Sequence, residues 1–228
     1  MSRLTLNIET IGDPTLPPEL LPNLDEYDAP ANYKDVQKIM EYRLNAMRGD
    51  MGKFSLSPLT GKIICASYQF TDTDGATDGM QTISGENEKE ILEWVSNAIF
   101  IRQHEFPIVV TYNGIAFDIP FIITGLARYG IPNPPHFTAR DLLNKYGTDH
   151  IDVYAYLSSF GVNKRGTLTD WSARFGIELP YGKGSMIADW YRLGEWESIK
   201  KHCESNVRCT DELYVRLKHS DWFGPLNG

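Results

Sequence analysis

The chain has 228 residues, of which 42% are hydrophobic and 23% charged, with a formal net charge of −8. That length suits one α/β domain with a full core, and the acidic balance argues against non-specific duplex binding, which relies on broad basic surface. No apolar run approaches a membrane span, Met1-Ser2-Arg3 leads into a strand rather than a leader, and Cys65, Cys203 and Cys209 read as buried free thiols in a reducing cytoplasm.

Leu4-Thr5-Leu6-Asn7-Ile8 alternates as a strand and is ended by Glu9-Thr10-Ile11-Gly12-Asp13-Pro14. The proline-rich run from Pro14 to Pro30 predicts an irregular surface excursion. A helix from Asn32 or Tyr33 to about Met47 follows, with Val36, Ile39, Met40 and Leu44 on one face. Arg43, Arg48 and Lys53 make it locally basic, which fits a solvated face better than a substrate-facing flap. Residues 14–55 thus read as an insertion within a single domain, 1–228.

Lys62 to Phe70 is the strongest strand pattern, and Asp74-Gly75 turns it into a shorter strand near Met80 to Ile83. Asn87-Glu88-Lys89-Glu90 starts a helix carrying Ile91, Leu92, Val95, Ala98 and Ile99 at helical period. Ile108-Val109-Val110 is a buried strand, broken by Tyr112-Asn113-Gly114. Phe117-Asp118-Ile119-Pro120 then opens a helix that stops at Tyr129-Gly130. Taken alone, Asp118 is an N-cap whose carboxylate satisfies free helix N–H groups. Its address, where a strand's C-terminal end meets a helix, is also where α/β sheets place sites.

His150-Ile151-Asp152 precedes a helix over Val153 to Phe160, with Asp152 as its cap rather than a ligand. Asn163-Lys164-Arg165-Gly166 is a basic turn before Thr167-Leu168-Thr169-Asp170, a capping box for a helix to Phe175. Tyr181-Gly182-Lys183-Gly184-Ser185 is a second basic turn, too short for a phosphate P-loop. The last helix, Glu195 to Lys218, buries the stripe Trp196, Ile199, Cys203, Val207, Thr210, Tyr214 and Leu217. His202 and Asn206 sit four apart on its border.

This order of elements predicts a three-layer α/β sandwich around a central mixed sheet, with a mainly helical C-terminal third. Asn7 and Glu9 share a strand face by period two, beside the start of the Asp118 helix. The final helix would deliver His202 and Asn206 to the same edge. Singly, Glu9 is an ordinary strand-end carboxylate and His202 a satisfied helix-border histidine; only their joint order turns both toward function.

Leu4–Gly12, Tyr112–Pro120 and His202–Val207 together resemble the motifs of the DnaQ-like, RNase H-fold 3′–5′ exonucleases of the DEDD superfamily. The branch they resemble most is that of the proofreading domain of family B DNA polymerases. The stretches Pro58–Ile63 and His150–Asp152 extend the likeness over nearly the whole chain. The resemblance implies phosphodiester hydrolysis at single-stranded 3′ ends, DNA ahead of RNA, by two Mg²⁺ or Mn²⁺ ions about 4 Å apart. A polymerase or replication partner is compatible with it, and no membrane is. It also implies metal ligands at positions 7, 9, 118 and 206, and a water-orienting tyrosine at 202. Thr10, Ile11, Asn113 and Phe117 flank those motifs as nucleic-acid contacts, with Lys164, Arg165 and Lys183 as phosphate contacts from the basic turns. Tyr68, Tyr112, Phe117 and Phe121 read as core, with one of them available to stack on a terminal base.

Three positions depart from the family pattern. Asn7 and Asn206 stand where it has aspartates, and His202 where it has tyrosine; Glu9 and Asp118 remain. An amide offers a hard cation only a neutral oxygen, so metal binding and hydrolysis are expected to be weakened. His202 keeps a suitable pKa for a general base. Deliberate exchange, natural divergence to a non-cutting binder, and activity through other carboxylates (Asp152 and Glu204 being nearest) are the three explanations. A non-catalytic nucleic-acid-binding or partner-binding module is therefore the alternative to an exonuclease.

Overall fold

The computed structural model describes residues 2–100, 107–132, 138–144, 146–163 and 165–220. Five strands form one mixed sheet: β1 (Arg3–Gly12), β2 (Gly61–Thr71), β3 (Thr77–Ser84), β4 (Ile108–Thr111) and β5 (His150–Asp152). Their order is β3-β2-β1-β4-β5, which puts β1 in the centre. β2 and β3 form the expected antiparallel hairpin. β1 runs parallel to β4, with Arg3 opposite Ile108 and Thr5 opposite Val110, and β4 runs parallel to β5. The C-terminal ends of the parallel strands therefore share one edge, where α/β sheets place ligands.

Helices cover both faces. α1 spans Val36–Met51, α2 Glu88–Phe100, α3 Asp118–Arg128, α4 Ala139–Leu143, α5 Val153–Leu157, α6 Leu168–Phe175, α7 Ile187–Leu193 and α8 Trp196–His219. The alternation of β4 shows the layering: Val109 joins Leu4, Leu6, Ile91, Leu92 and Ile122 on the α2–α3 side. Ile108 and Val110 join Ile151, Leu213, Tyr214 and Leu217 on the α6–α8 side. Period-two strands buried on both faces read as continuous apolar runs, as Ile108-Val109-Val110 does. Among the described residues no helix is long and apolar enough to cross a membrane.

The chain divides into two compact units, one of Met1–Glu9 with Ile63–Gly228 and one of Thr10–Lys62. Within the smaller unit, Asp13 N–H bonds the Thr60 carbonyl, the Thr10 hydroxyl bonds the Ser55 carbonyl, and Tyr27 and Arg43 reach Asp50 and Asp25. Its helix α1 starts at Val36, not at Asn32 or Tyr33, because the Asp35 carboxylate takes the N–H groups of Gln37 and Lys38. No residue of α1 is buried; Val36 and Met40 on the expected face are exposed.

Two other boundaries differ from expectation. α5 stops at Leu157 rather than Phe160, since Ser159 and Phe160 adopt φ of 52° and 55° and the Phe160 N–H turns back to the Ala155 carbonyl. α3 is not capped by Asp118: its N-cap is Phe117, whose side chain makes no cap bond. The capping box of Thr167 and Asp170 is present on α6.

Candidate active site

Three of the expected side chains meet at Glu9. On β1, period two puts Asn7 beside Glu9, and Asn7 Nδ2 donates to Glu9 Oε1 over 2.9 Å. From α8, Asn206 Nδ2 donates to the same oxygen over 3.1 Å and approaches His202 Nε2 at 3.3 Å. His202 Nε2 itself lies 3.6 Å from Glu9 Oε1. Positions 202 and 206 are one helical turn apart, so α8 presents both together. Cys203, buried next to them, locks α8 to β1 by donating to the Asn7 carbonyl and accepting from Asn7 Nδ2.

α8 is also held to β1 from below. Asp211 takes Arg3 Nε at 2.7 Å, Arg3 Nη2 at 2.9 Å and the Thr5 hydroxyl at 2.7 Å. Two carboxylate oxygens on a guanidinium fork fix direction as well as distance. This clamp sets the register in which Asn206 faces Glu9.

Asp118 enters from the start of α3. Its carboxylate does not serve the helix as a cap; it accepts the N–H of Ile8 at 3.0 Å, so it braces the strand next to Glu9. Asp152 is the capping carboxylate instead. It takes the N–H groups of Tyr154 and Ala155, and also those of Asn113 and Ile115 at the end of β4. Glu204, the other spare carboxylate, accepts the Thr82 hydroxyl of β3. Neither is directed at Glu9.

The tautomer of His202 follows from its partner. Nδ1 contacts the Tyr181 carbonyl, which can only accept, so Nδ1 carries the proton. In the neutral ring Nε2 is then a lone pair facing Asn206 and Glu9. Burial pushes the His202 pKa down, partly offset by the Tyr181 carbonyl. Burial also pushes Glu9 up to about 8, against the hydrogen bonds from Asn7 and Asn206. Asp118 is pushed up to about 8, first by burial and further by the charges of Glu9 and Asp152. Both shifts favour the neutral forms, which works against an ion pair between His202 and Glu9 despite their 3.6 Å spacing.

A pair of hard divalent cations takes several anionic oxygens. Of the four ligand positions the sequence suggests, two are carboxylates here, and the other two turn N–H donors onto Glu9 Oε1. Among the described residues no group of three or more His, Cys, Asp or Glu side chains is placed to hold a metal ion. The residues present do not fit a two-cation centre.

The remaining expected contacts are scattered. Thr10 and Ile11 are buried within the smaller unit, the former with its hydroxyl on Ser55. Asn113 is half-buried at φ 61°, its N–H on Asp152. Phe117 packs on Phe121, Tyr68 on Trp94, and Tyr112 on Tyr154 with its hydroxyl on the Gly166 carbonyl. Arg165 and Lys183 are exposed, and Lys164 lies outside the described residues. Sequence reasoning missed Tyr181, whose backbone orients His202; the only signal was an aromatic residue directly before a glycine turn.

A family model described as "Predicted 3'-5' exonuclease related to the exonuclease domain of PolB" matches residues 56–222. That span holds Asp118, His202 and Asn206 and begins beyond Asn7 and Glu9. The fold is similar to that of the family B DNA polymerase from the hyperthermophilic archaeon Pyrobaculum calidifontis, with a TM-score of 0.58 and 15% sequence identity. The likeness covers 95% of this chain and 24% of the polymerase chain, so the chain spans about a quarter of that protein's length. The architecture is RNase H-like. No curated protein matches the chain.

Proposed function

Because the chain belongs to the family of predicted 3′–5′ exonucleases related to the exonuclease domain of PolB, we propose that it binds single-stranded 3′ ends. The site is the cluster of Asn7, Glu9, Asp118, His202 and Asn206, the substrate DNA ahead of RNA, and hydrolysis by the family's two-cation route is strongly reduced. The observation that carries this reading is the pair of amide groups on Glu9. Four carboxylates would repel a phosphodiester until cations neutralised them. Two carboxyls held near pKa 8 and two amide donors do not, so a phosphate can approach without a cation and exchange with Glu9 for the N–H groups that Asn7 and Asn206 now turn onto it.

Mg²⁺ or Mn²⁺ would supply charge neutralisation and an activated water in a complete site of this kind. Here His202 retains a lone pair at Nε2 that can receive a proton, with the ring oriented by the Tyr181 carbonyl. A base without an activated water accelerates little. A polymerase or other replication protein in the cytoplasm is the partner class this reading supports.

The test is binding and degradation of a 3′-labelled single-stranded DNA and RNA oligonucleotide, in EDTA and in Mn²⁺, beside the Asn7→Asp/Asn206→Asp double variant. The expected result is binding in EDTA by the chain as it stands, with 3′-end cleavage in Mn²⁺ by the double variant alone. Cleavage by the unaltered chain at the rate of the double variant overturns the loss of hydrolysis. Absence of oligonucleotide binding by either protein overturns the whole reading.

A further inference from the structure

The turn that holds His202 carries an aromatic surface with no role in the site described so far. Tyr181 is fixed at both backbone atoms: its N–H donates to Ser205 Oγ at 2.8 Å, and its carbonyl takes the His202 Nδ1 proton. Both partners lie on α8, one on either side of Cys203, so the turn cannot shift without moving the histidine. The ring of Tyr181 lies nearly parallel to that of Trp190, with centroids 5.8 Å apart and 19° between planes. Trp190 is only 7% exposed, and its ring meets that of His202 at 6.0 Å in an edge-on contact. A rigid stack therefore runs from the buried histidine through a buried tryptophan to a tyrosine that keeps 45% of its surface.

The exposed ring is held at its backbone and backed by a buried indole, so its outer face is presented in a fixed orientation. The neighbouring residues support the arrangement. Gly182 has φ +67°, and a Cβ there would lie 2.5 Å from Trp190 Cη2, so only glycine lets the chain turn tightly enough to lay one ring on the other. Lys183 follows, exposed, beside the platform. A flat ring backed by a second ring, with a cation two residues on, is what a single strand needs: a base stacks on the face and the ammonium meets the backbone.

We infer that the outer face of Tyr181 is a stacking platform for one of the last bases of the single strand, next to the phosphate that enters the Glu9–His202 cluster. The inference rests on the 3′-end reading above. Its partner is a nucleobase in a strand end, not a duplex, whose bases are already stacked. Stacking tolerates any base, so Tyr181 confers affinity and register without sequence preference.

The test is the affinity of the full chain, in EDTA, for a single-stranded DNA whose last three nucleotides are replaced by an abasic residue one at a time. Tyr181→Ala is expected to weaken binding of the intact strand by roughly 5- to 100-fold. With the abasic residue at the stacked position, the unaltered chain weakens to the same degree and Tyr181→Ala weakens no further. Tyr181→Phe and Tyr181→Trp retain affinity, and a 2-aminopurine at that position is quenched by the unaltered chain but not by Tyr181→Ala. If the unaltered chain binds and Tyr181→Ala loses affinity equally for intact and all abasic strands, the effect passes through the backbone to His202 and the platform is overturned. Unchanged binding by Tyr181→Ala overturns it too, while leaving the 3′-end reading standing. No binding by the unaltered chain overturns both.

Discussion

Asn206 Nδ2 lies 3.1 Å from Glu9 Oε1, so the amide occupies a place where a carboxylate would set two acidic groups face to face. Asn206→Asp removes a donor and places a second carboxyl, costly to ionise there, beside a group that is 7% exposed. In EDTA this variant is expected to lose about 2 kcal/mol, a fall in Tm of roughly 4–8 °C. Mn²⁺ is expected to restore the loss once Asn7→Asp is added, because only then are there enough anionic oxygens for a hard cation. Thermal unfolding with and without Mn²⁺ checks both halves; an Asn206→Asp chain as stable in EDTA as its parent defeats the first.

Asp118 is a brace for β1, and its two simplest variants should separate. Asp118→Asn keeps an oxygen for the Ile8 N–H and removes a carboxyl that burial disfavours as an anion, so stability should hold or rise. Asp118→Ala strands a buried N–H at a cost of about 1–3 kcal/mol. Urea denaturation reads the difference, and hydrogen exchange at Ile8 should quicken in the alanine variant alone.

Asp211 gathers Arg3 and Thr5 of β1 onto α8, with both charged side chains less than one-sixth exposed. Asp211→Ala leaves a guanidinium and a hydroxyl without their acceptor, at about 3 kcal/mol. Because this clamp sets the register of α8, oligonucleotide affinity should fall as well. Retained affinity at reduced stability would show that the Cys203 and Asn206 contacts suffice to hold the register.

The order of elements, the amphipathic last helix and the strand-end cluster were legible because each rests on a local period or on a motif order. The readable border of α8 brought His202 and Asn206 together before any contact was known. Taken alone, Asp118 suggests a cap because its acceptor role involves Ile8, 110 residues away, and local rules see only the nearer helix N–H groups. The start of α1 slipped for a local reason: Asn32 and Asp35 are both good caps, and the backbone took the later one. Tyr181 was invisible as a platform because its neighbours Trp190 and His202 come from two different helices.

His150 provides a pH signature away from the cluster. Its Nδ1 donates to the Leu142 carbonyl and its Nε2 accepts the Thr111 hydroxyl, and burial holds its pKa below the ordinary 6.5. The unfolded chain binds a proton near pH 6.5 that the folded chain refuses, so this contribution is full above that pH and is lost as pH falls below it. Asp152, raised by burial, contributes with the opposite sign. The stability gap between the unaltered chain and His150→Asn is therefore expected to shrink from pH 7.5 to pH 5 in urea titrations. A gap constant over that range refutes the assignment.

The central strand of the sheet is also its first. Arg3 to Thr5 of β1 take their parallel partners from Ile108 to Val110 of β4, so one edge of β1 waits for about a hundred further residues during synthesis. The candidate site waits longer still, because Glu9 meets Asn206 only when α8 arrives. A nascent chain thus leaves the ribosome with an unpaired strand edge, of the kind that chaperones cover and that aggregates when left bare. Recombinant yield of this domain should accordingly depend more on translation speed and holdase supply than on its final stability.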